Sequence, residues 1–372
     1  MTEVTGDTMS KTFIALFIAV LLTACTAQTP STIKIGGLYG LTGISQQFGQ
    51  DELRGTQLAI EEINAAGGIQ GKQLELIAED GQTDKMANLN GYRKLVDVDK
   101  IHYIIGPTWT QPAHVLVPLI DQDNVLLISP SSGEFEYTEL NNKDFFKTYP
   151  PYRDETNVMI AYMEQHNVHR VAIVRSDGTF EQSMSAGFAD NSRGNISIVS
   201  ENVVTYEDTD FHTLIAKLQQ QDIDAIYLVH GNYAGVGEFF KQAKAAGIKL
   251  PIYTYSGCED QSLLHTYGSA IEGMLYPHSD ISDRDKVFNA KFNVRFGSEP
   301  LTPVAATAYD AVKMLAMGLE QGSSVDQVSD AMHAIKNYEG ASPITGFTTD
   351  GWPKTNRQYS MKTVQNGAFA QI

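Results

Sequence analysis

Apolar and polar positions along this chain fall into two alternating kinds of block. Short β-prone runs occur at 33–38, 74–79, 101–105, 125–129, 171–175, 196–200, 225–230, 252–255 and 359–364. Between them, 51–66, 86–98, 112–121, 181–191, 211–221, 236–246 and 305–319 read as helices. In the first of these, Leu53, Leu58, Ala59, Ile60 and Ile63 share one face and charged residues take the other. Gly67-Gly68 stops it, because glycine adopts the left-handed conformation that closes a helix at little cost. Strand, helix and strand in succession form a right-handed parallel crossover. The alternation runs in two series, and 145–152, with Pro150-Pro151, reads as a stiff extended crossing between them. The pattern predicts an α/β fold with two doubly wound parallel-sheet lobes.

A chain of 372 residues has room for two such domains. Its net charge of −17 argues against nucleic acid and against electrostatic adhesion to anionic lipid. The apolar run at 13–22 is too short to span a bilayer, which takes about 20 residues. Two cysteines, Cys25 and Cys258, stand in unlike contexts, so no disulfide framework is expected and stability must come from the cores.

Catalytic patterns are missing. Gly36-Gly37-Leu38-Tyr39-Gly40 does not fit G-x-G-x-x-G, and Gly71-Lys72 lacks the phosphate-loop spacing. There is no G-x-S-x-G elbow. His166 and His169 lack a glutamate partner, so no metal site, cofactor or enzymatic activity is expected.

The wording of the opening unit, GLTG…FG…RGTQLAIEEINAAGGIQGKQLELIAED, closely resembles the start of the type I periplasmic binding proteins. These are the solute receptors of branched-chain amino acid ABC importers and their relatives. ISPSSGEFEYTE, HTLIAKLQQQDIDAIYLVHGNY, FFKQAKAAGI and AATAYDAVKMLA extend the resemblance to near the C-terminus. It implies two lobes joined by a three-crossing hinge, with 33–148 and 278–347 in the first and 149–277 and 348–372 in the second. The later crossings are expected near 276–279 and 346–350. Leu22-Thr23-Ala24-Cys25 resembles the lipobox of bacterial lipoproteins, with Cys25 as the lipidated residue. Residues 1–24 would then be a signal peptide and 25–32 a tether, leaving the lipid anchor as the only membrane contact.

In parallel sheets, ligands sit beyond the carboxyl ends of the strands. The loops there, 42–48, 107–110, 129–133, 179–180, 230–233 and 256–259, are rich in hydroxyl, amide and aromatic groups, as a small polar cleft requires. The resemblance sets Thr110, with Trp109 beside it, and Ser131-Ser132 where family members meet a ligand carboxylate; Gly133 stands where a threonine is usual. Tyr152 and Ser256 take the places of the acids that hold an α-ammonium, with Asp154 and Glu259 near but out of register. Phe48, Phe180 and Tyr233 match positions lined by tyrosine. These residues imply an extracytoplasmic substrate-binding component of an ABC importer, partnered by a permease and an ATPase. A buried ammonium without an acid is costly, so simple α-amino acids are expected to bind weakly. The alternative is a ligand sensor of the same fold acting with a regulator or chemoreceptor.

Overall fold

The computed structural model describes residues 32–133, 140–192, 194–279, 283–300, 302–356 and 358–372; Cys25 lies outside them. The first series is β1 (Thr32–Tyr39), α1 (Gln46–Ala65), β2 (Gln73–Asp80), α2 (Lys85–Arg93), β3 (Tyr103–Ile105), α3 (Thr110–Asp123), β4 (Leu126–Ser129) and β5 (Phe145–Lys147). Its five strands pair in parallel in the order β2-β1-β3-β4-β5. The second series is α4 (Tyr152–Gln165), β6 (Arg170–Ser176), α5 (Thr179–Asn191), β7 (Ser197–Val204), α6 (His212–Leu218), β8 (Ala225–Val229), α7 (Tyr233–Ala245), β9 (Ile252–Tyr253), α8 (Gln261–Tyr267) and β10 (Leu275–Ser279). Three helices follow, α9 (Asp283–Phe296), α10 (Val304–Gln321) and α11 (Val325–His333), then the pair β11 (Ile344–Phe347) and β12 (Pro353–Thr355). β13 (Tyr359–Gln365) and β14 (Ala368–Gln371) end the chain. The second sheet runs β14-β13-β10-β9-β8-β6-β7.

Both faces of the first sheet are covered. Ile35, Ile105, Leu126 and Ile128 pack with α10 and α11, while Ile104, Leu127 and Phe145 pack with α2 and α3. A separate core of Val171–Val174, Ile226, Leu228, Phe239 and Tyr276 surrounds the second sheet. The chain therefore passes between the cores three times: after β5, after β10 and after β12.

Several local expectations change. The 145–152 segment is not wholly a crossing, because Phe145–Lys147 adds a fifth strand beside β4 and Tyr152 opens α4. His278 and Ser279 belong to β10, so the second crossing follows Ser279. The second sheet is mixed, since β13 runs antiparallel to β10 and β14 pairs antiparallel beyond it. On α1, Asp51 and Glu52 are buried together with Thr56, Leu58, Ala59 and Ile60, while Leu53 is only partly covered. The charges stay inside because they have partners. Asp51 Oδ2 accepts from the Thr302 N–H at 2.7 Å and its hydroxyl at 3.0 Å, tying α1 to the start of α10. A Cβ on Gly55 would stand 2.1 Å from the Ala305 carbonyl oxygen, so the two helices touch backbone to backbone there.

Lys147 marks the first crossing. It is fully buried, with Nζ 4.4 Å from the ring centroids of both Phe145 and Trp352. It donates to the Asp350 carbonyl at 3.2 Å, which links β5 to the segment ahead of β12. Burial lowers its pKa to about 7. Among the described residues, no helix is long and apolar enough to cross a membrane.

Candidate functional site

Both sheets share one strand order. In β2-β1-β3-β4-β5 and in β7-β6-β8-β9-β10, the helices change side between the second and third strands, which opens a crevice at their carboxyl ends. In the first sheet this point lies between Gly40 and Thr108. The Gly40 N–H donates to Thr108 Oγ1 at 2.9 Å, and the Thr108 hydroxyl donates to Glu52 Oε2. In the second it lies between Ser176 and Gly231. The Gly231 N–H donates to Ser176 Oγ at 3.2 Å, and that hydroxyl donates to Glu181 Oε1 at 2.9 Å. Each crevice thus has beside it a buried glutamate from the helix that follows β1 or β6. Neither glutamate stood out in the sequence. For Glu52 the signal was a carboxylate in register with Thr56 and Ala59 on a buried stripe.

Around Glu52 stand the hydroxyls expected to meet a ligand. Ser131 Oγ accepts from the Trp109 N–H at 2.7 Å, and Glu52 Oε1 is buried without a hydrogen-bond partner. Ser129 donates to the Pro107 carbonyl at 2.8 Å and lies 2.7 Å from Ser132 Oγ. Burial pushes the Glu52 carboxyl up to about 7; the Ser131 and Thr108 hydroxyls hold it back, and neighbouring Asp51 adds to the rise. Trp109, at the start of α3, has φ of +66° and ψ of 168°, a conformation that bulky side chains rarely take. Its ring meets Phe48 edge-on at 5.6 Å. The structure therefore gathers Phe48, Trp109, Thr110, Ser131 and Ser132 at one wall.

The other wall carries the remaining residues. Tyr152, in the first turn of α4, packs edge-on against Phe180 at 5.0 Å, and Phe180 against Tyr255 at 5.2 Å. The Tyr233 hydroxyl donates to the Gly257 carbonyl at 3.1 Å, which sets it beside the Ser256 loop. The Ser256 hydroxyl and backbone N–H lie near Glu155 and favour its ionised form. Glu155, one helical turn past Tyr152, was not anticipated. It is buried, Oε1 has no hydrogen-bond partner, and burial raises its pKa to about 8. The two acids considered from the sequence are engaged elsewhere. Asp154 accepts from Thr355 Oγ1 at 3.1 Å, and Glu259 pairs with Lys362 at 2.6 Å. Cys258 is buried at 3.1 Å from Thr254 Oγ1, its thiol pushed up to about 12 by burial.

Tyr149 joins the walls. A Cβ on Gly133 would meet its Cδ1 at 2.4 Å, and its ring lies 5.6 Å from that of Tyr152. The aromatic and hydroxyl groups of both sheets thus lead to the first crossing, as in a cleft closed around a small polar molecule. Among the described residues, no three histidine, cysteine, aspartate or glutamate side chains are placed to hold a metal ion.

The comparisons agree with this geometry. The family model described as periplasmic binding protein matches residues 32–368. The leucine-specific-binding protein of Salmonella typhimurium is 28% identical over 328 residues, covering 86% of this chain and 88% of that protein. The Leu/Ile/Val-binding protein of Escherichia coli K12 is 26% identical over 318 residues, covering 84% and 86%. The crystal structure of the branched-chain amino acid transporter substrate binding protein LivJ from Streptococcus pneumoniae, in complex with isoleucine, superposes with a TM-score of 0.77 at 25% identity. It covers 92% of this chain and 99% of that one. Two doubly wound lobes, their matched crevices and a match along nearly the whole described chain lead to one conclusion: the chain belongs to the periplasmic binding protein family, whose members bind solutes and are not enzymes.

Proposed function

We propose that this protein is the extracytoplasmic substrate-binding component of an ABC importer. It takes a small polar solute of amino acid, amide or related carboxylate type between its lobes. One observation carries this reading: the hydroxyl and aromatic groups of both sheets lie at the carboxyl ends of the strands and meet at Tyr149 on the first crossing. The residues we assign to the ligand are Phe48, Trp109, Thr110, Ser131, Ser132, Tyr152, Phe180, Tyr233 and Ser256. Ligand favours the closed arrangement, the crossings serve as the hinge, and the closed form docks on a permease driven by an ATPase. Lobe 1 comprises 33–148 with 280–355 and lobe 2 comprises 149–279 with 356–372; the limits expected at 277/278 and 347/348, and the third crossing expected near 346–350, move to keep β10 and β12 whole. Cys25 carries the lipid that holds the protein at the outer face of a membrane, through the tether 25–32. The relatives named for leucine, isoleucine and valine make amino acids the first solutes to try. Asp154 and Glu259 are engaged elsewhere, which supports weak binding of simple α-amino acids and leaves Glu155 as the acid on this wall that would counter it.

A solute screen by thermal shift, followed by calorimetry and small-angle X-ray scattering, tests this. A binding solute raises the melting temperature and reduces the radius of gyration at saturation. Saturation without compaction removes the hinge, and a screen without any binding solute removes the receptor.

A further inference from the structure

The second wall holds an acid outside the residues assigned to the ligand. Glu155 lies one helical turn past Tyr152 on α4, on the same face of that helix. It is 1% exposed, and its Oε1 is buried without a hydrogen-bond partner. The Ser256 hydroxyl and N–H lie near it. Charge on Glu155 acts on Tyr152, Tyr227 and Cys258 alike, so these side chains stand around it. Two of its neighbours, Tyr152 and Ser256, belong to the ligand wall.

A buried carboxylate needs a cation or several N–H donors to hold its charge. The groups around Glu155 do not bring that cation. Asp154, beside it on α4, is acidic and adds to the rise in its pKa. Lys362, on β13, is taken by Glu259 at 2.6 Å, and His278, on β10, lies 3.7 Å from the same carboxylate. Glu181, on α5, accepts from Ser176 at 2.9 Å. The Tyr227 hydroxyl, on β8, has no hydrogen-bond partner, and the Cys258 thiol lies 3.1 Å from Thr254 Oγ1. Both are neutral, and each has one proton to give at most. A carboxyl group so placed keeps its proton until something supplies the missing positive charge.

We propose that Glu155 receives an N–H-bearing cationic nitrogen of the solute and gives up its own proton to solvent as it does so. This rests on the receptor reading above. The exchange balances: the solute enters as an ammonium, the carboxylic acid becomes a carboxylate and one proton leaves, so the site stays neutral. Oε1 then gains the hydrogen bond that it lacks. Amine binding therefore depends on pH. Burial raises the Glu155 pKa to about 8, so near neutrality the solute must displace a proton and binds weakly. As pH rises toward that value the cost falls and affinity grows.

The test is calorimetry on pairs of solutes that differ by one amine: leucine and 4-methylpentanoate, with matched pairs on other skeletons beside them. From pH 6 to pH 8, affinity for the amine-bearing member should rise by about tenfold or more. Proton release, read in buffers of unlike ionisation enthalpy, should approach about one per solute at pH 7. The deaminated member should show neither. Glu52, on the first wall, also titrates near neutrality, but it faces both members of a pair, so their difference reports the second wall. Glu155→Gln keeps the shape of the side chain and should abolish the proton release. It should also lower the amine-to-deaminated affinity ratio at pH 8 by tenfold or more. An amine bound without proton release overturns the inference while keeping the receptor. So does tighter binding of the deaminated member at pH 8, or an unchanged ratio in folded Glu155→Gln. Binding by no solute of the screen removes the receptor reading and the inference together. The wild-type proton count needs no variant, so it decides the matter even where Glu155→Gln fails to fold.

Discussion

The ring of Tyr149 occupies the space where a side chain on Gly133 would begin, with Cδ1 2.4 Å from the position of a Cβ. Gly133 follows β4 in the first lobe, and Tyr149 lies on the first crossing just after β5. Restoring the family's usual threonine at residue 133 therefore does not restore a carboxylate site. Gly133→Thr should lower stability by about 1–3 kcal/mol through overpacking and weaken ligand binding. Gly133→Thr combined with Tyr149→Ala should recover most of the stability. Denaturant titration of both variants and of Tyr149→Ala closes the double-mutant cycle; strict additivity would count against the contact.

The contact of α1 with α10 makes a second prediction. An alanine normally improves a helix over glycine by about 1 kcal/mol. At Gly55 the Ala305 carbonyl oxygen lies 2.1 Å from the added carbon, so the sign reverses. Gly55→Ala should reduce the unfolding free energy by about 1–3 kcal/mol, read from urea titration.

Lys147 predicts a pH dependence. Its pKa is about 7 in the folded protein against 10.5 for an ordinary lysine, because burial disfavours the charge. Between these values the unfolded chain binds the extra proton, so this group's contribution raises stability as pH climbs from about 7 toward 10. The slope approaches about 1.4 kcal/mol per pH unit for one proton. Thermal or urea unfolding of wild type and Lys147→Met across pH 6–10 should show the difference moving toward the wild type as pH rises. Parallel curves would show that Lys147 stays charged in its cage of carbonyls and rings.

Phe180 lies between Tyr152 and Tyr255, and Phe48 lies against Trp109. Each is only partly covered, which suits a ring waiting for a ligand better than a core residue. Alanine at either position should cost about 2 kcal/mol in ligand binding, with a small change in melting temperature. Calorimetry separates the cases: a large drop in stability with intact affinity would return the ring to the core.

For the N-terminus, Cys25→Ser should release the protein from the membrane fraction and abolish fatty-acid labelling. A wild-type protein that takes up no label would remove the anchor.

Much of the fold was legible because its signals are short-ranged. Helix and strand periods repeat within a few residues, glycine pairs stop helices wherever they occur, and strands that alternate with helices leave few topologies open. That reading located both series, the loops that bear the site, and the aromatic and hydroxyl residues on them. It failed where a residue's role depends on a partner far along the chain. Glu52 looks like any helical carboxylate until Thr108, 56 residues away, brings a hydroxyl to it. Glu155 passes for a first-turn acid until the Ser256 loop folds over it. The absence of a side chain at residue 133 reads as a departure from the family until Tyr149 is seen filling the space. Phe145–Lys147 reads as a crossing, since a three-residue strand gains its partners only from β4 beside it. Residue types at the cleft are fixed by the sequence, but a hydroxyl donates or accepts according to its neighbours, and packing of distant segments chooses those neighbours.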